Sequence, residues 1–235
     1  MVSKFLLLFA LLFVASSGPK VVAQSQGSRE FLDSGNALVR QERYGEAIPE
    51  YLKVEPNQSD LYSQSLYNIG VCYYELQQTE RAISYYGEAL AVRKFDYPRA
   101  AYALGVALED LGRTTEARDA FIRASKRSSS WLGPALFKLG VIAFTEGQLN
   151  SASDLFRRAS LSSGAHRAAS HNNLGVTLAR LGRLSEAEKE FQYALDQATE
   201  DYEDAQHNLD LCRALRQTAT TGKTRRNFEL TANTF

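Results

Sequence analysis

The chain has 235 residues, with 27 Lys and Arg balanced by 27 Asp and Glu, and two cysteines. That length suits one domain; two cysteines cannot build the disulfide framework of a small secreted module, and zero formal net charge lacks the basic footprint of phosphate-backbone binding. A hydrophobic share of 44%, with 12 Tyr and 12 Phe, excludes wholesale disorder.

Residues 1–23 read as a segment outside the fold. Lys4 supplies an early positive charge, residues 5–15 form an unbroken apolar run of 11, and a small, weakly polar stretch ends in Val21-Val22-Ala23. This is the three-part pattern of a secretory signal peptide. The run falls well short of the ~20 residues a membrane-crossing helix needs, so no stable membrane anchor is expected. Small residues at Val21 and Ala23 favour cleavage before Gln24, with cleavage after Ser16 as the competing site. Processing removes Lys4 and Lys20 and no acid, which leaves a slightly acidic mature chain. The expected location is the periplasm or outside the cell.

Residues 24–200 repeat. Gly35, Gly70, Gly105, Gly140 and Gly175 are spaced by 35 residues without a slip. Twelve residues after each stands Ala47, Ala82, Ala117, Ala152 or Ala187, and four further on Tyr51, Tyr86, Phe121, Phe156 or Phe191. Three more residues lead to Val54, Ala89, Ala124, Ala159 or Ala194. Ile69, Leu104, Leu139 and Leu174 precede the last four glycines; in the first unit Ser34 takes that place. These spacings are helical, so each unit reads as two short amphipathic helices joined by a turn such as Leu111-Gly112-Arg113. A mid-helix glycine costs roughly 0.5–1 kcal/mol against alanine. Close approach of the paired helix, with the alanine facing the glycine, is the expected compensation. Pro49 should kink or shorten the second helix of unit one.

With Leu-Gly, the later Ala, the Phe or Tyr, and the final Ala, the units resemble the tetratricopeptide repeat over about residues 28–197. The resemblance implies an all-α, right-handed α-solenoid of five helix pairs that binds proteins or peptides. The period is 35 where the family usually shows 34, and the signature proline after the second helix is mostly missing. A 35-residue period also suits pentatricopeptide repeats, which read RNA, but balanced charge and the leader argue against a nucleic-acid partner. Residues 201–217 repeat the first-helix pattern, with Leu209 one period after Leu174 and Asp210 in place of the glycine. They are expected to form a capping helix. The tail, 218–235, carries Lys223, Arg225 and Arg226 and is expected to be flexible.

Nothing in the chain assembles into a catalytic or metal-binding set. His166 and His171 are five apart, on different faces of a helix, and read as surface histidines. Cys72 and Cys212 lie four periods apart, too far to bridge, and read as buried inert thiols. Glu109 and Asp110 are adjacent acids near a helix end. No cofactor and no enzyme activity are expected.

A ligand would use the face of the first helix that packing leaves free. At about 100° per residue, positions −6, −3, −2, +1, +4 and +5 from the glycine share an arc of roughly 40° to 160°. In the resembling family this arc lines a concave groove. Its candidate residues here are Asn36, Tyr67, Asn68, Tyr74, Arg99, Tyr102, Phe137, Lys138, Phe144, Asn172 and Asn173. Asparagines match the donors and acceptor of an extended peptide, and aromatics give apolar contact area. Of the family's clamp for a C-terminal carboxylate, Asn36, Asn68 and Arg99 match, while Leu32 and Ala103 stand where two cations belong. The resulting expectation is an exported, non-catalytic scaffold that holds a protein or extended peptide and assists assembly of an envelope or secreted complex. A regulatory or substrate-holding subunit of an enzyme complex, and a self-associating homo-oligomeric array, are the alternatives.

Overall fold

The computed structural model describes residues 19–57, 59–162 and 166–221, with side chains from 26 to 218 outside the two gaps. Among these residues there are eleven helices and no strand. Five pairs follow one another: α1 (Pro19–Val39) with α2 (Tyr44–Tyr51), α3 (Ser59–Glu75) with α4 (Thr79–Val92), α5 (Pro98–Asp110) with α6 (Thr114–Ala124), α7 (Leu132–Thr145) with α8 (Leu149–Ser160), and α9 (Arg167–Arg180) with α10 (Leu184–Gln197). A single helix, α11 (Glu203–Thr221), closes the array. Each helix packs on the next in the chain, and adjacent first helices touch in the pairs α1–α3, α5–α7, α7–α9 and α9–α11. Contacts restricted to neighbours make a solenoid. No helix among the described residues is long and apolar enough to cross a membrane.

The repeat residues explain the packing. Ala47, Ala82, Ala117, Ala152 and Ala187 are all fully buried. The glycine does a different job from the expected one. A Cβ added at Gly35, Gly70, Gly105, Gly140 or Gly175 would lie 2.4–2.7 Å from the ring of Tyr51, Tyr86, Phe121, Phe156 or Phe191. Those distances are far inside van der Waals contact, so the missing side chain makes room for the aromatic of the second helix; the alanine is not its main neighbour. A further fivefold feature ends every first helix. Glu42, Gln77, Gly112, Gly147 and Gly182, again 35 apart, have positive φ between 58° and 78°. The following residue donates its N–H back into the helix, as Arg113 does to the Leu108 carbonyl and Arg183 to that of Leu178. Reversal into the second helix needs this left-handed residue, which glycine adopts without a Cβ clash.

The first pair carries the expected effect of Pro49: α2 has eight residues, against 11 to 14 in the other second helices. At the C-terminal end the cap starts at Glu203 and continues to Thr221, past the expected boundary at 217, so residues 218–221 are helix and not tail. The rest of the tail, 222–235, lies outside the described residues, as does 1–18 of the expected leader. Residues 19–23, also assigned to that leader, form the start of α1.

Candidate functional site

The free arc is dominated by one recurring arrangement at the −3 position. Tyr67, Tyr102 and Phe137 each pack against the repeat ring of their own second helix, with centroid separations of 5.7 Å to Tyr86, 5.6 Å to Phe121 and 5.8 Å to Phe156. Each is covered on its other side by a ring leading into the next unit: Tyr97 at 5.8 Å, Trp131 at 5.1 Å and His166 at 5.1 Å. The covering rings come 29 or 30 residues downstream of the ring they cover. A position facing the groove by helical periodicity is therefore partly built into the core.

How much surface remains depends on how closely consecutive first helices approach. α3 and α5 are the one adjacent pair of first helices outside the set of close neighbours. Between them opens a cleft of about 190 Å³, lined by Tyr67, Tyr74, Tyr86, Arg99, Tyr102, Ala103, Val106 and Trp131. Four of the eleven residues expected from the sequence meet here: Tyr67, Tyr74, Arg99 and Tyr102. The Arg99 guanidinium lies 4.7 Å above the centre of the Tyr67 ring, a cation–π contact that holds an exposed charge at the rim. The Tyr74 hydroxyl donates to the Asp110 carboxylate at 2.5 Å. That bond, with burial second, pushes the Tyr74 pKa up to about 12; burial, with Glu109 second, also raises Tyr102. Both are neutral hydroxyls at ordinary pH, so the cleft presents apolar rings with one cation.

The other expected residues lie elsewhere. Phe137 has no exposed surface, and Asn172 and Asn173 are 0% and 1% exposed. These three do not line an open groove. Asn208 of α11 donates to Asn172 Oδ1 at 2.9 Å, and Asn172 contacts Asn173 Oδ1 at 3.4 Å; the asparagines form a buried seam under the cap. Lys138 is no free cation either, because its Nζ meets Glu109 Oε2 at 2.8 Å. Asn36 Oδ1 accepts from both Asn68 Nδ2 and Tyr51 Oη at 2.9 Å, so the two matching clamp asparagines are bonded to each other. Phe144, half-buried, carries the Arg180 guanidinium 4.4 Å from its ring centre.

Neither His166 nor His171 is a plain surface residue. His166 is stacked on Phe137, and burial, then the nearby Lys138 charge, lowers its pKa. His171 Nδ1 lies 2.7 Å from Glu190 Oε2. Cys72 and Cys212 are free, buried thiols as expected; burial pushes Cys72 up to about 11, which suppresses the reactive thiolate. Among the described residues no group of His, Cys, Asp or Glu could hold a metal ion.

Sequence reasoning missed Trp131 and gave Tyr86 only a core role. Trp131 precedes α7 in a loop, where helical periodicity has no bearing. The available signal was the recurrence of a ring at 97, 131 and 166.

The architecture is that of a helix-pair solenoid with a recessed aromatic cleft on its first-helix face. The family described as Tetratricopeptide repeat matches residues 32–95, 67–130 and 137–203. The chain belongs to the tetratricopeptide repeat family. No curated protein matches it significantly in sequence. Among solved structures it is similar to PilF of Pseudomonas aeruginosa, at 14% identity and TM-score 0.68 over 85% of this chain and 90% of that one. YrrB, described as a TPR protein with an unusual peptide-binding site, shares 20% identity at TM-score 0.58 over 87% of this chain and all of that one. MamA of Desulfovibrio magneticus RS-1 shares 17% identity at TM-score 0.58, covering 77% and 96% of the two chains. Identities this low establish the shared fold alone.

Proposed function

We propose that this chain is an exported, non-catalytic scaffold that holds a protein or extended peptide on its first-helix face and assists assembly of an envelope or secreted complex. The observation that carries the binding reading is the cleft between α3 and α5, where large aromatic side chains border open space. Buried aromatic anchors dominate interface energies, and rings left partly uncovered gain area only when something docks. The cleft's size sets its scale: about 190 Å³ is below the roughly 300–1,000 Å³ of a small-molecule pocket, and suits one large side chain of a longer partner. YrrB, with its peptide-binding site, gives a precedent on the same fold. Export rests on the leader pattern of residues 1–23. A cut before Gln24 would leave an α1 of 24–39, close in length to α3.

The test is affinity for a partner captured from the native compartment. Tyr102→Ala should weaken binding by about 2 kcal/mol, or roughly 30-fold, with circular dichroism unchanged. Arg158→Ala, an exposed site on α8, should leave affinity intact. The opposite pattern would move the site to the second-helix face. N-terminal sequencing of the mature protein should begin at Gln24; Met1 retained in a membrane fraction would refute export.

A further inference from the structure

The charges around the cleft oppose the demands of folding. A helix is electropositive at its N-terminus and electronegative at its C-terminus, so acids belong at the start and bases at the end. In α5 the order is inverted. Arg99, its second residue, and Asp110, its last, are both exposed. Glu75, the last residue of α3, repeats the acid at the C-terminal end one unit earlier. Among the described residues none of the three has an ion-pair partner: Arg99 rests on the Tyr67 ring and Asp110 accepts the Tyr74 hydroxyl. In that +5 register units one and five carry Arg40 and Arg180, which suit a helix C-terminus, while inverted charges also occur away from the cleft, with Arg167 opening α9 and Asp196 in the last turn of α10. What sets α5 apart is that its cation and its acid stand at the two ends of a helix face that also borders open space.

The same face of α5 runs from Arg99 through Tyr102, Ala103 and Val106 to Asp110, so one ligand lying along it meets a cation, an apolar recess and carboxylates in turn. Eleven residues of helix span about 16 Å at 1.5 Å each; an extended chain covers that in about five residues at roughly 3.3 Å each. From this arrangement, and resting on the binding reading above, we propose that the cleft docks an extended protein segment with a carboxylate at one end, a large apolar side chain in the middle and a Lys or Arg about five residues from the acid. The carboxylate lies over Arg99, the apolar side chain enters between Tyr74, Tyr102 and Trp131, and the cation meets Asp110 and Glu75.

A displayed library of random peptides selected on the full chain tests this directly, with blocked peptide termini in follow-up to separate a side-chain carboxylate from a C-terminal one. The wild-type chain should enrich the acid–apolar–base pattern. Arg99→Glu should cut the affinity of an enriched peptide about tenfold, and replacing that peptide's acid by Lys should restore binding to the variant. Asp110→Lys should do the converse at the basic end. Enriched peptides that are apolar without this charge pattern, or unaffected by Arg99→Glu, overturn the proposal; if Tyr102→Ala still abolishes their binding, the cleft reading stands. Enrichment insensitive to Tyr102→Ala, or none at all, removes both.

Discussion

Glycine stands in three settings in this chain, and substitutions to or from glycine separate them. At Gly105 an added Cβ would lie 2.5 Å from the Phe121 ring, so Gly105→Ala should destabilise by about 1–3 kcal/mol through overpacking, and Phe121→Leu in the same chain should recover part of it. At Gly87, inside α4, nothing lies within 4 Å of the added carbon; Gly87→Ala should stabilise by about 0.5–1 kcal/mol through helix propensity. The third setting is the left-handed turn, where Glu42 and Gln77 occupy the conformation that Gly112, Gly147 and Gly182 adopt elsewhere. Left-handed backbone costs a residue with a Cβ about 1 kcal/mol, partly offset by the entropy glycine adds to the unfolded chain. Glu42→Gly and Gln77→Gly should therefore raise the denaturation midpoint slightly. Chemical denaturation of the set checks all three signs.

At the scale of helices, the pairs were legible because Gly, Ala and the aromatic recur at fixed offsets, and each offset is a contact that one helix makes with the other. Arg99 and Tyr102 fall on one expected face and line the same cleft for a similar reason: both lie on one helix, and the helical period orders them. Phe137, Asn172 and Asn173 are buried and not in an open groove, because their burial depends on the approach of the next first helix and its loop, a spacing that no single helix encodes. The polar seam between α9 and α11 supplies a prediction of its own. Asn208→Ala removes the bond to Asn172 Oδ1, costing about 1 kcal/mol or more. Because neighbours alone are coupled in a solenoid, amide hydrogen exchange should quicken in α11 while α1 to α4 stay unchanged; uniform quickening would mean that the array unfolds as one unit.

Across the whole molecule, its many buried and part-buried tyrosines set an alkaline limit. Tyr51, Tyr74, Tyr86, Tyr97 and Tyr102 all have raised pKa values, with burial as the leading cause except at Tyr74, where the Asp110 bond comes first. A folded pKa above the unfolded value of about 10 means that the stability is intact below pH 10; it is lost as the unfolded chain ionises first, for Tyr74 between about 10 and about 12. Denaturation midpoints should fall steeply above pH 10, and Tyr74→Phe should soften the fall. The rings that cover Tyr67, Tyr102 and Phe137 have a consequence for how the chain is made. Tyr97, Trp131 and His166 each belong to the sequence of the following unit or the approach to it, so a unit leaving the ribosome is unfinished until its successor emerges. One uncovered ring then travels along the nascent chain as a moving front, and α11, which meets unit five through asparagines, ends the relay without leaving another ring to cover.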